Sequence, residues 1–214
     1  HQSVGDVNDA SLEAMRRLPD EGVSSFKLFM AYPGVFYSDD AQILKAMQTA
    51  APGRFTWFNS YDVTKPDAAQ VLTQAVKDGA QGFGEMKFHV AADGPELRRI
   101  YALAADLRVP ILIHFQEVDH FPDDGTWSTG FAKTFDSVLK AYSKTTFIGH
   151  ADAFWANVSA DYHNEAAYPT GPIKRGGLTD KWLGEHPNLF ADMAANSGNN
   201  AMSRDPEFTA SFLE

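Results

Sequence analysis

Short apolar runs alternate with amphipathic stretches along the whole chain. Strand-like runs fall at Val23 to Met30, Phe55 to Asn59, Gly82 to Phe88, Pro110 to Phe115, Thr145 to Gly149 and Asn188 to Met193. Between them, apolar residues recur at helical spacing. Ala68, Val71, Leu72, Ala75 and Val76 make one stripe, Leu97, Ile100, Tyr101, Ala104 and Leu107 a second, and Phe131, Phe135, Val138, Leu139 and Tyr142 a third. Pro66 marks the opening position of the first of these helices and Gly79 its stop, while Gly94-Pro95 opens the second. Pro19 should cut short a helix near the start of the chain. Strands alternating with helices indicate parallel βα units, because a parallel strand needs a crossover long enough to hold a helix. Six such units with right-handed crossovers build an open doubly wound sheet or most of an eight-stranded barrel. The long segments 116–130 and 151–177 both follow strands, at the carboxyl end of the sheet where either architecture builds its site.

Composition narrows the partners. With 214 residues, 44% of them hydrophobic and 21% charged, the chain reads as one soluble globular domain over 1–214. A formal net charge of −10 leaves no basic stripe for phosphate contacts, so small-molecule substrates are expected and nucleic acid is not. No apolar run approaches the ~20 residues needed to cross a bilayer, and the first residues lack the blocks of a signal peptide, so no membrane partner and a cytoplasmic location are expected. A start at His1 rather than Met fits a processed or excised piece. The absence of cysteine excludes disulfides and thiolate sites, so any metal must rest on His, Asp, Glu or a modified Lys. No Gly-x-Gly-x-x-Gly or Walker pattern follows a strand, and Lys174-Arg175-Gly176-Gly177 has the wrong order for a phosphate loop.

Ionisable residues placed inside strands supply the candidate chemistry. Lys27 sits within Ser24-Ser25-Phe26-Lys27-Leu28-Phe29-Met30-Ala31-Tyr32, where an ammonium must be paired, catalytic or chemically modified, or must snorkel from an edge strand. Alternation in Phe83-Gly84-Glu85-Met86-Lys87-Phe88 puts Glu85 and Lys87 on one face with Phe83, and Met86 with Phe88 on the other. His114 and His150 end the next two apolar runs. Glu85, His114 and His150 therefore lie near the carboxyl ends of three consecutive strands, and in a barrel they converge as a ligand set suited to catalytic zinc. Asp192, ending Asn188-Leu189-Phe190-Ala191, reads as a ligand, a base or a helix cap. His89 and His120 read as loop residues.

Two stretches resemble known families. Ser25-Phe26-Lys27-Leu28-Phe29-Met30-Ala31-Tyr32, followed by Pro33-Gly34-Val35-Phe36-Tyr37-Ser38-Asp39-Asp40, resembles the lysine strand of D-hydantoinases and dihydropyrimidinases over about residues 1–50. That resemblance implies a carboxylated Lys27 bridging two divalent metals and a substrate contact at Tyr32, a position that also suits simple loop packing. From about residue 51 onward, Gly82-Phe83-Gly84-Glu85, Val109-Pro110-Ile111-Leu112-Ile113-His114, Thr146-Phe147-Ile148-Gly149-His150 and Asn188-Leu189-Phe190-Ala191-Asp192 resemble metal-dependent barrel hydrolases of the amidohydrolase superfamily. The implied fold is α/β, a partial or distorted (β/α)8 TIM barrel of about six βα units. The implied metal ligands are Glu85, His114, His150 and Lys27, with His150 and Asp192 as catalytic groups and zinc as the divalent metal.

The departures shape the functional expectation. No His-x-His occurs anywhere in the chain, so the superfamily's strand-one histidine pair is absent, as is its strand-eight aspartate. Lys27 and Glu85 each correspond to a fourth strand, so the chain reads as a fused or recombined piece with a junction near residues 48–54 and an incomplete barrel. The expected function is metal-dependent hydrolysis, with a metal-activated water attacking a cyclic amide such as a hydantoin or dihydropyrimidine, or a related carbonyl. The alternatives are a one-metal decarboxylase or lactone hydrolase, and a catalytically silent fragment or ligand-binding subunit. An open barrel would also self-associate or form a homo-oligomer.

Overall fold

The computed structural model describes residues 2–23, 26–29, 34, 37–50, 53, 56–117, 120 and 127–214. The chain divides into two compact units, His1–Thr56 and Trp57–Glu214. In the first, β1 (Gln2–Val4) and β2 (Phe26–Leu28) pair in parallel, with Ser3 opposite Lys27. The connecting helix α1 (Asp9–Arg17) opens on a capping box in which Asn8 and Ser11 satisfy one another's backbone N–H groups. It ends where the sequence requires, because Pro19 tightens the following turn into a 3-10 helix over Leu18–Glu21. Leu12 and Met15 of α1 bury against Val4, Val7 and Ala46, the last from α2 (Asp40–Ala50).

The second unit carries a five-stranded, wholly parallel sheet of β3 (Phe58–Asn59), β4 (Gly82–Met86), β5 (Ile111–His114), β6 (Phe147–His150) and β7 (Leu189–Ala191). Strand order in space equals order in sequence. A doubly wound sheet reverses its order at a switch point, whereas an unbroken sequential order is the arc of a βα barrel. The architecture is α/β with the strands of a partial barrel.

Helices α3 (Ala68–Lys77), α4 (Pro95–Leu107) and α5 (Phe131–Ala141) connect successive strands and bury the apolar stripes seen in the sequence. Pro95 opens α4 behind Gly94 as expected. Pro66 does not open α3: the Asp62 side chain takes the Thr64 N–H in a tight turn, and the helix starts only after its N-cap, Asp67. Between β6 and β7 lie α6 (Asp152–Ala156) and α7 (Leu178–Glu185), and α8 (Ala195–Ser203) and α9 (Pro206–Phe212) follow β7. The core is strongly aromatic, with the Phe115 ring centroid 4.8 Å from Phe131 and 4.6 Å from Phe135. Among the described residues, no helix is long and apolar enough to cross a membrane.

Candidate metal centre

Alternation on β5 and β6 buries Ile111, Ile113 and Phe147 on the helix side and turns Leu112, His114, Ile148 and His150 to the other face. Register completes the placement. His114 lies opposite His150 in the parallel ladder, so two neighbouring strands deliver two imidazoles to one spot. Gly149 is required here, because a Cβ at that position would fall 2.1 Å from the Phe154 ring, which packs beneath the sheet.

Glu85 arrives by a different route from the expected one. Simple alternation would group it with Phe83, but the β4–β5 register shifts between Phe83 and Met86, and both of those side chains enter the core. Glu85 is left on the histidine face, 41% exposed. The shift rests on Gly84, where φ is +139° and a Cβ would lie 2.8 Å from Leu112 Cβ. Ser60, just beyond β3, donates to the Glu85 carbonyl at 2.7 Å and steadies the strand end.

The resulting geometry is close. Glu85 Oε1 lies 2.5 Å from His114 Nδ1 and 3.7 Å from His150 Nε2, and one donor atom from each of the three residues falls within 4.8 Å of the others. On its far side His114 Nε2 is 3.2 Å from Gln116 Oε1. His150 Nδ1 lies 2.9 Å from Asp192 Oδ2, close enough for an ion pair though off the line of a hydrogen bond. Asp192 Oδ1 accepts the Ala194 N–H at 3.0 Å, and Trp155 Nε1 donates to the Asp192 carbonyl at 2.9 Å. Asp192 thus caps the turn after β7 and backs His150, outside the three-residue donor set. Two imidazoles whose outer nitrogens face acceptors, with a partly solvated carboxylate between them, form a donor set that could hold a divalent cation.

The remaining sequence candidates fall elsewhere. The backbone of Lys27 belongs to β2 in the His1–Thr56 unit, while its side chain and the whole of Tyr32 lie outside the described residues. His89 stacks on Trp127 with ring centroids 5.0 Å apart. His120 is on a loop as expected, but its side chain is only 1% exposed. Its Nδ1 meets Asp152 Oδ2, and its Nε2 lies 2.6 Å from the Tyr162 hydroxyl. Burial, with the Asp152 charge nearby, pushes the Tyr162 phenol up, so it stays protonated and donates to the Ala166 carbonyl at 2.9 Å. Sequence pattern missed this chain and missed Gln116; the one available signal was that Gln116 continues the alternate positions of β5 beyond His114.

No protein-family model matches the chain. It is 67% identical over 51 residues to a D-hydantoinase of Streptomyces coelicolor, covering 24% of this chain and 11% of that protein. A D-hydantoinase of Ralstonia pickettii is 33% identical over 119 residues, covering 53% of this chain and 25% of that protein. The matched stretches therefore span a quarter or less of these relatives. Among solved structures, a dihydroorotase of Campylobacter jejuni overlaps 71% of this chain and 37% of its own, at 19% identity and a TM-score of 0.38. A 2,6-dihydroxybenzoate decarboxylase of Rhizobium overlaps 93% and 74% respectively, at 17% identity and a TM-score of 0.46. These structural overlaps are too loose to carry an inference of their own. By its curated relatives, the chain is similar to D-hydantoinases of the amidohydrolase superfamily.

Proposed function

We propose that Glu85, His114 and His150 hold one divalent cation, zinc by donor type, and that the chain carries the site of a metal-dependent hydrolase acting on a cyclic amide such as a hydantoin or dihydropyrimidine. The observation that carries this reading is the convergence of the three donors within 4.8 Å at the carboxyl ends of adjacent parallel strands. When bound, a divalent cation supplies Lewis-acid chemistry there, polarising a carbonyl and acidifying water. The chain's own residues do the rest. Glu85 and His114 fix the cation's position, and the Asp192 carboxylate stabilises positive charge on the His150 ring, whether it comes from a cation or from a proton taken at Nε2. The buried side of the site, with His114 12% and His150 9% exposed, limits water to the Glu85 side.

The likeness to D-hydantoinases supports the cyclic-amide substrate, and it also motivates two further assignments: a carboxylated Lys27 bridging a second cation, and Tyr32 against the substrate. Both are tested by Lys27→Ala with carboxylic-acid rescue and by Tyr32→Phe, read as kcat and KM. The fused origin near residues 48–54 is tested by sequencing the parent transcript across that junction. For the main reading, the experiment is zinc titration of the 214-residue chain followed by a ring-opening assay on hydantoin and dihydrouracil. About one equivalent of weakly held zinc is expected, since three protein donors are offered, with slow ring opening that vanishes with chelator or His150→Ala. A chain that takes up no zinc, or takes it up equally as a Glu85→Gln/His114→Ala variant, overturns the reading.

A further inference from the structure

Each imidazole of the cluster has one nitrogen turned towards Glu85 and one turned away. The outward nitrogen of His114, Nε2, faces the side-chain oxygen of Gln116 at 3.2 Å. An amide oxygen only accepts, so this contact is a hydrogen bond in the tautomer with the hydrogen at Nε2. The inward nitrogen, Nδ1, is 2.5 Å from Glu85 Oε1, so with the hydrogen at Nε2 the Nδ1 lone pair and the carboxylate oxygen face one spot that a cation would fill. The two outward contacts set opposite binding nitrogens on the two rings: Nδ1 for His114 and, with Asp192 behind it, Nε2 for His150.

Gln116 is held from both sides. It is fully buried, its N–H donates to Thr129 Oγ1 at 2.8 Å, and its carbonyl accepts from Thr129 N and Thr129 Oγ1, each at 2.9 Å. Thr129 is itself 2% exposed and immediately precedes Gly130, the N-cap of α5. The start of α5 and the loop leaving β5 are thereby clamped together around the residue that addresses His114. These bonds pin the main chain of Gln116, and full burial of its side chain leaves the amide little room to follow the ring if it turns, which favours one ring orientation.

We infer that Gln116 is a positioning residue that fixes His114 as an Nδ1 ligand, an inference that rests on the metal reading above. The test compares the full chain with Gln116→Leu, which removes the acceptor, and Gln116→Glu, which keeps one. Zinc affinity is measured by competition with a chromogenic chelator, and ¹⁵N-histidine NMR reads which ring nitrogens carry protons with and without zinc. The expected result is zinc on Nδ1 with Nε2 protonated in the wild type, a roughly 10- to 100-fold weaker affinity in Gln116→Leu, and near-wild-type affinity in Gln116→Glu. Zinc found on Nε2, or equal affinity in the wild type and the leucine variant, overturns the inference while leaving the metal site standing. If the wild type binds no zinc, the metal reading falls. The metal-free spectrum then decides the proton position, and a bare Nε2 there refutes the role of Gln116 directly. Should Gln116→Leu fail to fold, the glutamate variant and the wild-type spectra carry the decision.

Discussion

His114 and His150 are register partners on neighbouring parallel strands, with ring centroids 5.8 Å apart and planes inclined at 61°. Parallel partners in register share a face, so this pairing alone brings the two rings to one place. What distinguishes the rings is what stands behind each, and those backing groups offer the sharpest tests.

Asp192→Asn keeps the oxygen that caps Ala194 but removes the negative charge behind His150. Zinc affinity should fall about 10- to 100-fold with little change in unfolding midpoint. Chelator competition and a urea melt on the same variant check both halves.

Gly84→Ala should be costly. The new methyl would meet Leu112 Cβ at 2.8 Å and the Leu112 carbonyl oxygen at 2.9 Å, at a φ of +139° that alanine resists. A loss of about 2–4 kcal/mol is expected from crowding and backbone strain together. Urea denaturation measures it, and an unchanged midpoint would mean that β4 can regain simple alternation.

His120→Ala should destabilise by about 3–5 kcal/mol, because it strands a buried Asp152 whose Oδ1 already meets no hydrogen-bond partner among the described residues. Tyr162→Phe removes only a hydroxyl and should cost about 1–2 kcal/mol. If His120→Ala combined with Asp152→Ala proves no more stable than His120→Ala alone, the stranded charge is not the source of the loss.

Asp205 caps α9 by accepting the Phe208 N–H at 3.0 Å and also accepts the Ile173 N–H at 2.8 Å; these bonds hold its carboxyl below the usual aspartate range. A carboxyl depressed in the folded state contributes stability above its unfolded value, and the contribution disappears as pH falls through the folded value. The melting-temperature gap between the wild type and Asp205→Asn should be widest above pH ~5 and should close below pH ~4. A gap independent of pH would assign the effect to hydrogen bonding without charge.

Periodicity made most of the sheet legible. All six apolar runs contain strands, and most residues of the three helical stripes are buried in or packed against the core, with Val71 half-buried outside it. The exceptions have separate causes. β1 is only Gln2–Val4, too short to register as a run, and α6 is buried on every side, so no amphipathic period marks it. Alternation misassigned the face of Glu85 relative to Phe83 because the register shift beside Gly84 consumes an extra position. The meeting of Glu85, His114 and His150 was readable because each lies at or next to the carboxyl end of its own strand. Gln116 left only the faint signal of continuing β5's alternation past the strand's end, and the Asp152–His120–Tyr162 chain left none, because its contacts join residues whose separation in sequence follows no period.

The donors of the cluster are far apart along the chain, Glu85 and His114 by 29 residues, and come together only through the completed β4–β5–β6 ladder. An unfolded chain offers isolated side chains instead of a site, so the free energy of holding a cation is added directly to the free energy of holding the sheet. A cation at about 100 times its dissociation constant would raise the unfolding free energy by about 2.7 kcal/mol. Calorimetric melting therefore reads the occupancy of this centre with no substrate in the cell, and metal starvation would lower the chain's thermal tolerance before any loss of turnover was measured.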